Sequence, residues 1–111
     1  MSGPRLTAKI WVEAYLRRLD LATIPAFVTR KGDPTAGAVL IKVATLDGTA
    51  VCYQRSWDLE TGARTWVVLA DGAETEVDAA LSRQTGFDPD IWVIEVESRD
   101  GTHLLDEDGL A

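Results

Sequence analysis

The sequence predicts an α+β fold: a single domain with a mainly antiparallel sheet and two helices, in the order α-β-β-β-β-α-β-β. Three observations carry this reading. The chain has 111 residues, enough for one domain and too few for two. Apolar residues make up 46% and charged residues 26%, a composition that can build a core without staples. Most apolar segments recur with a period of two and are separated by hairpin signals, while only two stretches carry a helical period.

The elements follow in order. A helix is expected from Thr7 to about Ala22, with Thr7 as N-cap, Leu6 and Trp11 spaced for a staple, and Pro25 beyond its end. At 100° per residue, Ala8, Trp11, Val12, Tyr15, Leu16 and Leu19 form its core face. Ile10, Ala14 and Leu21 form a second apolar strip, more than a half-covered helix needs. Strands are expected over Ala26 to Lys31 and Gly37 to Leu46, with Asp47-Gly48 closing a two-residue primed hairpin onto Thr49 to Trp57. Asp58 to Gly62 turns into a fourth strand, Arg64 to Ala70. The second helix takes Asp71 as cap, Glu74 as capping-box acceptor and a Schellman ending at Gly86, with Ala73, Val77, Ala80 and Leu81 as its apolar stripe. A strand at Ile91 to Ser98 puts Trp92, Ile94 and Val96 on one face. Asp100-Gly101 then turns it towards a last strand, His103 to Leu105. The ends, about 1–6 and 106–111, read as loose.

The net charge is −7, and it is divided: residues 1–55 carry 8 basic and 4 acidic side chains, residues 56–111 carry 3 and 14. An acidic total opposes general nucleic-acid binding. Complementary halves would help two copies orient. Cys52 is the single cysteine and reads as a buried structural thiol, which leaves no internal disulfide. No apolar run approaches a bilayer crossing, and the start lacks the pattern of an export signal, so a cytoplasmic protein is expected.

The run Arg30-Lys31-Gly32-Asp33-Pro34-Thr35-Ala36-Gly37-Ala38-Val39-Leu40-Ile41-Lys42-Val43 and the later Phe87-Asp88-Pro89-Asp90-Ile91-Trp92-Val93 resemble a small bacterial family called domain of unknown function 1491. Arg5 to Val12 and the Asp100-Gly101 turn are similar to it as well. The resemblance implies an intact single-domain bacterial protein, and brings no assigned activity and no catalytic residues.

Two surfaces remain as candidates. Gly32 and Gly37 have the separation of a phosphate-binding loop. However, Ala38 and Val39 stand where Lys and Ser or Thr belong, and a strand follows, so a structural turn on Pro34 is the simpler reading. Arg30 and Lys31 beside it could still gather an anion. A two-residue hairpin would place Lys42 opposite Tyr53, Leu40 opposite Arg55 and Ala38 opposite Trp57, joining two cations and two aromatics on one face. Ordinary cross-strand packing explains the same residues. Val39, Ile41, Val43, Ala50 and Cys52 would then share the other, helix-packed face. Catalysis would have to route through the sole histidine, His103, beside a turn. Metal binding by Glu95, Glu97, Asp100 and His103 is divided between two faces, so no metal and no cofactor are expected. The residues therefore favour a non-catalytic interaction module, a homodimer or the docking partner of another protein through Ile10, Ala14 and Leu21. The alternative is a binder of small anions or nucleotides, an enzyme in its strongest form, using Arg30, Lys31, Lys42, Tyr53, Arg55 and Trp57.

Overall fold

The computed structural model describes residues 6–111. The element order is α1 (Ala8–Leu21), β1 (Ala26–Arg30), β2 (Val39–Ala44), β3 (Thr49–Trp57), β4 (Arg64–Ala73), α2 (Glu74–Phe87) and β5 (Trp92–Glu97). The five strands form one sheet in the order β1-β5-β2-β3-β4. Three of the four pairings are antiparallel, and β2 with β5 is parallel. The α+β class holds, but the sheet is mixed. α2 carries the chain back from the β4 edge over the sheet, so β5 enters the middle alongside β2 instead of hairpinning onto a neighbour.

The two helices cover opposite faces. α1 packs Trp11, Val12, Tyr15 and Leu19 against Val39, Ile41 and Val43 of β2 and Trp92, Ile94 and Val96 of β5. α2 packs Val77 and Leu81 against Leu40, Ala50, Cys52 and Val93. Central strands buried on both sides explain why β2 and β5 read as nearly continuous apolar runs rather than alternating ones. Among the described residues, no helix is long and apolar enough to cross a membrane.

α1 ends within a residue of its expected bounds, and Thr7 Oγ1 accepts the Ile10 N–H at 3.3 Å. The start of α2 differs from expectation. Asp71 and Gly72 continue β4, the N-cap is Ala73 without a side-chain bond, and the carbonyl of Gly48 accepts the Glu74 N–H at 2.9 Å. A neighbouring hairpin thus satisfies a helix donor that the sequence assigns to a local side chain. The helix then runs through Gly86 to Phe87, past the predicted Schellman ending.

The β2–β3 hairpin differs by one residue. Thr45 N–H bonds the Thr49 carbonyl, leaving a three-residue loop of Leu46, Asp47 and Gly48, with Leu46 at φ 64° and Gly48 at φ 90°. The carboxylate of Asp47 accepts from Thr45 Oγ1, Thr49 Oγ1 and Thr49 N, which holds its pKa down to about 2. Lys42 therefore pairs with Cys52, and Ile41 with Tyr53. A one-residue slip exchanges the faces. Lys42, Ala50 and Cys52 face α2, while Tyr53, Arg55 and Trp57 face the α1 side with Val39, Ile41 and Val43.

The chain after β5 forms no sixth strand. Gly101 N–H bonds Ser98 O, and Asp100 accepts from Ser98 Oγ and Thr102 N, making a turn that leads the chain under α1. In place of a loose end after Asp106, Leu105 and Leu110 are buried in the α1 core. Trp66 Nε1 donates to Leu110 O at 2.8 Å, Tyr15 OH to His103 O at 2.8 Å, and Arg18 Nη1 to Asp108 O at 2.7 Å. The loose start expected over residues 1–6 lies, but for Leu6, outside the described residues.

Lys42 is only 5% exposed. Its Nζ lies 2.7 Å from Glu74, 2.8 Å from Asp78 and 3.3 Å from Glu95, so one buried ammonium ties α2 to both central strands. Lys42→Ala should lower stability by about 2 kcal/mol in urea unfolding. That is less than the roughly 3–5 kcal/mol of a fully buried pair, because the carboxylates keep water contact. Lys42→Met, which keeps the buried stem, should cost less than Lys42→Ala.

Candidate functional site

The glycine loop is built for close packing. A side chain at Gly32 would collide with the Asp90 carbonyl oxygen and lie 2.7 Å from Trp92 Cδ1, and one at Gly37 would meet the same carbonyl. Trp92 Nε1 donates to Asp33 O at 2.7 Å, Asp33 N to Asp90 O at 3.0 Å, and Trp92 N to Ala38 O at 2.8 Å. The loop amides are also spent locally: Thr35 N and Ala36 N on Asp33 Oδ2, and Gly37 N on Asp33 O. The N-terminus of α1 is spent too, with Ala8 N on Thr35 O and Lys9 N on Pro34 O. Backbone donors that would cradle a phosphate are thus already bonded.

The predicted ligand residues fall into separate places. Arg30 reaches Pro89 O with Nη2 at 3.2 Å and, with Lys42, Asp78 and Glu95, lines a polar cleft of about 340 Å³ beside α2. Lys31 is exposed in the loop after β1. Lys42 lies on the face opposite Tyr53, Arg55 and Trp57, bound by its three carboxylates. Burial opposes its charge, but the hydrogen bonds to Asp78, Glu74 and Glu95 outweigh burial and hold the ammonium above the usual lysine range. Tyr53 packs on His103, ring centroids 4.6 Å apart. Glu95 faces Lys42 while His103 sits against Tyr53, so the structure separates the acidic strand from the histidine.

Arg55 and Trp57 meet in a different site. At the end of the sheet where β2 begins and β3 ends, a cleft of about 640 Å³ opens between the start of α1, the 35–38 loop, the β3–β4 hairpin and the end of α2. Ligand sites commonly have this size. The Arg55 guanidinium lies 4.9 Å from the Trp11 ring centroid and 4.8 Å from that of Trp66, and Arg64 lies 5.9 Å from the Trp57 ring. Such cation–π contacts hold the guanidinium groups in place and keep their positive charge at the cleft. Trp11 is buried, and its Nε1–H has no acceptor among the described residues. Trp57 is half exposed and Phe87, also lining the cleft, is 85% exposed. The carboxylate in the lining, Asp88, accepts the Asp90 N–H. The cleft is thus locally cationic and aromatic in an acidic protein.

Sequence reasoning missed Trp11, Arg64, Trp66 and Phe87 here. The hairpin turn at Asp58 to Gly62 was the available signal, since it pairs Arg64 with Trp57 and Trp66 with Arg55. Phe87 had none, because only the packing of α2 brings its end to β3. On α1, Ile10 and Leu21 are 50% and 70% exposed and Ala14 is exposed, so the described residues do not cover the surplus strip.

Fold and site define a small α+β domain with a helix on each sheet face and an aromatic, cationic cleft at the strand ends. The profile of a family described as protein of unknown function DUF1491 matches residues 6–106, and the chain belongs to that family. A crystal structure of a DUF1491 family protein from Caulobacter crescentus shares 43% identity and superposes with a TM-score of 0.83, covering 93% of this chain and 97% of that one. An NMR structure of a DUF1491 family protein from the same organism gives 43% and 0.80, covering 95% and 96%. A protein of A. tumefaciens gives 29% and 0.72, covering 86% and 87%. No curated protein matches. The family comparison thus brings the fold and no activity.

Three protonated groups in the interior set the alkaline limit. Burial pushes the Cys52 thiol up to about 12, against a smaller opposing effect of Lys42. Burial, then Tyr53, raises the Tyr15 phenol above the ordinary tyrosine range. With Lys42, each holds its proton more tightly folded than unfolded. Their stabilisation is complete below the unfolded pKa and is lost as pH climbs through the folded one. Thermal unfolding should therefore move to lower temperature as pH rises from about 9, starting with Cys52. Cys52 should react with a thiol reagent at the rate of global unfolding.

Proposed function

We propose that this protein is a non-catalytic binding module whose strand-end cleft takes a small anionic ligand with a planar, apolar body. The observation that carries the reading is Arg55 held against the paired rings of Trp11 and Trp66 in the wall of a cleft rimmed by Trp57 and Phe87. A guanidinium held in place by two indoles supplies a fixed positive charge that favours a carboxylate or phosphate, and the exposed rings supply a stacking surface for the rest of the molecule.

Thermal shift against aromatic carboxylates, nucleoside monophosphates and inorganic phosphate tests it. A ligand with both parts should raise the melting temperature in a dose-dependent way, and inorganic phosphate should do so far less. Trp57→Ala, Phe87→Ala and Arg55→Lys should each remove most of the shift. A panel without any shift, or a shift indifferent to all three substitutions, would sink the reading.

A second reading is self-association, favoured by the exposed strip Ile10, Ala14 and Leu21, which lies on one face of α1. If α1 forms the contact, Ile10→Glu should reduce the mass measured by light scattering on a sizing column from a dimer to a monomer.

A further inference from the structure

The self-association reading has a second surface, and it is more self-complementary than α1. β4 is an edge strand of ten residues. Its stretch Thr65-Trp66-Val67-Val68-Leu69-Ala70 is uncharged and rich in β-formers, with neither the proline nor the lysine that usually guard an edge. Val68 is 52% exposed. The backbone of this stretch bonds to β3 on one side, and no partner lies on its outer side among the described residues.

Pairing with β3 fixes which way each β4 side chain points. Arg64, Trp66, Val68 and Asp71 lie on the α1 side; Thr65, Val67 and Ala70 lie on the α2 side, with Leu69 the extra residue of a bulge. An antiparallel strand added to this edge must match these sides residue for residue. A two-fold axis through Val67 does so with a second β4. Val67 then faces its own copy, Trp66 faces Val68, and Thr65 faces the bulged pair Leu69–Ala70. Arg64 at one end faces Asp71 at the other. The register joins an aromatic residue to a β-branched one and a cation to a carboxylate, each twice by symmetry. Neighbouring registers lose this match: an axis through Val68 sets Trp66 against Asp71, and one through Trp66 sets Arg64 against Val68. The bulge, which would turn the edge away from a flat foreign strand, recurs in the second copy and is matched there.

We infer that a second copy of this chain docks on the β4 edge, antiparallel about Val67, joining two sheets into one of ten strands. This rests on the self-association reading and names a surface other than α1. Light scattering on a sizing column across micromolar concentrations should give twice 12.1 kDa. Val67→Lys, which sets two ammonium groups face to face on the axis, should return the mass to that of one chain with an unchanged far-UV circular dichroism spectrum. Asp71→Arg should do the same, and the double swap Arg64→Asp with Asp71→Arg should restore the dimer even if either single change perturbs the strand. A wild-type monomer at every concentration overturns both the self-association reading and this surface. A dimer broken by Ile10→Glu and not by Val67→Lys keeps self-association and overturns the β4 contact. A dimer indifferent to both substitutions also overturns it.

Discussion

The interaction on which the rest of the structure depends is the ammonium of Lys42 among Glu74, Asp78 and Glu95. β2 and β5 are the strands buried on both faces, and each has one charged residue facing α2 within its apolar run: Lys42 in β2 and Glu95 in β5, directly opposite in the parallel pairing. Buried alone, either charge would be costly; together they give the parallel pair its register, because a shift of one residue would drive each into the α1 core. α2 supplies the remaining two carboxylates. The same cluster therefore aligns the central strands and holds the helix that closes the second face.

That cluster also explains the uneven charge of the chain. Part of the charge of the basic first half is met by the acidic second half within the molecule. Lys42 is neutralised by three carboxylates of the second half, and Arg18 meets Glu107 and the Asp108 carbonyl. The exposed Arg18–Glu107 pair contributes little by itself. Its backbone bond, with those of Trp66 and Tyr15, seats the C-terminal segment so that Leu105 and Leu110 complete the α1 core. At these two places, charge complementarity between the halves acts within one molecule.

How much of this was legible follows from the range of each signal. The core face of α1, the Thr7 cap, the Trp92–Ile94–Val96 face and Val77, Ala80 and Leu81 of the α2 stripe depend on spacing within one element, and the structure keeps them, while Ala73 ends β4 and is exposed. The hairpin register hinged on one loop residue. Asp47-Gly48 is the usual signature of a two-residue turn, but Thr45 and Thr49 both bond Asp47 and draw Leu46 into the loop at a positive φ. That residue moved Lys42 to the opposite face from Tyr53, Arg55 and Trp57. The parallel entry of β5 and the arrival of Phe87 at the cleft depend on where α2 lands, which no local pattern records. The near-continuous apolar runs of β2 and β5 were the available sign that both faces are covered.

The two motifs that carry the family resemblance lie against each other, and their contacts explain why a distinctive pattern need not mark chemistry. Arg30 bonds Pro89 O; Gly32 and Gly37 leave room for the Asp90 carbonyl; Asp33 holds the Trp92 indole. These contacts seat the end of α2 beside β2 before β5 begins. The backbone amides of the loop and the acceptors of Asp33 are consumed in doing so, and a group already bonded to its own backbone has little left to offer a ligand. Arg55, Trp57, Arg64 and Phe87 stand outside both motifs or, for Phe87, at the rim of one. Residues 35–38 and Asp88 of the motifs line the strand-end cleft, and in the proposed reading the residues around them would decide what it accepts. Specificity within such a fold would therefore vary with the β3–β4 hairpin and the end of α2, while the loop from Arg30 to Val43 stays bound to its structural task.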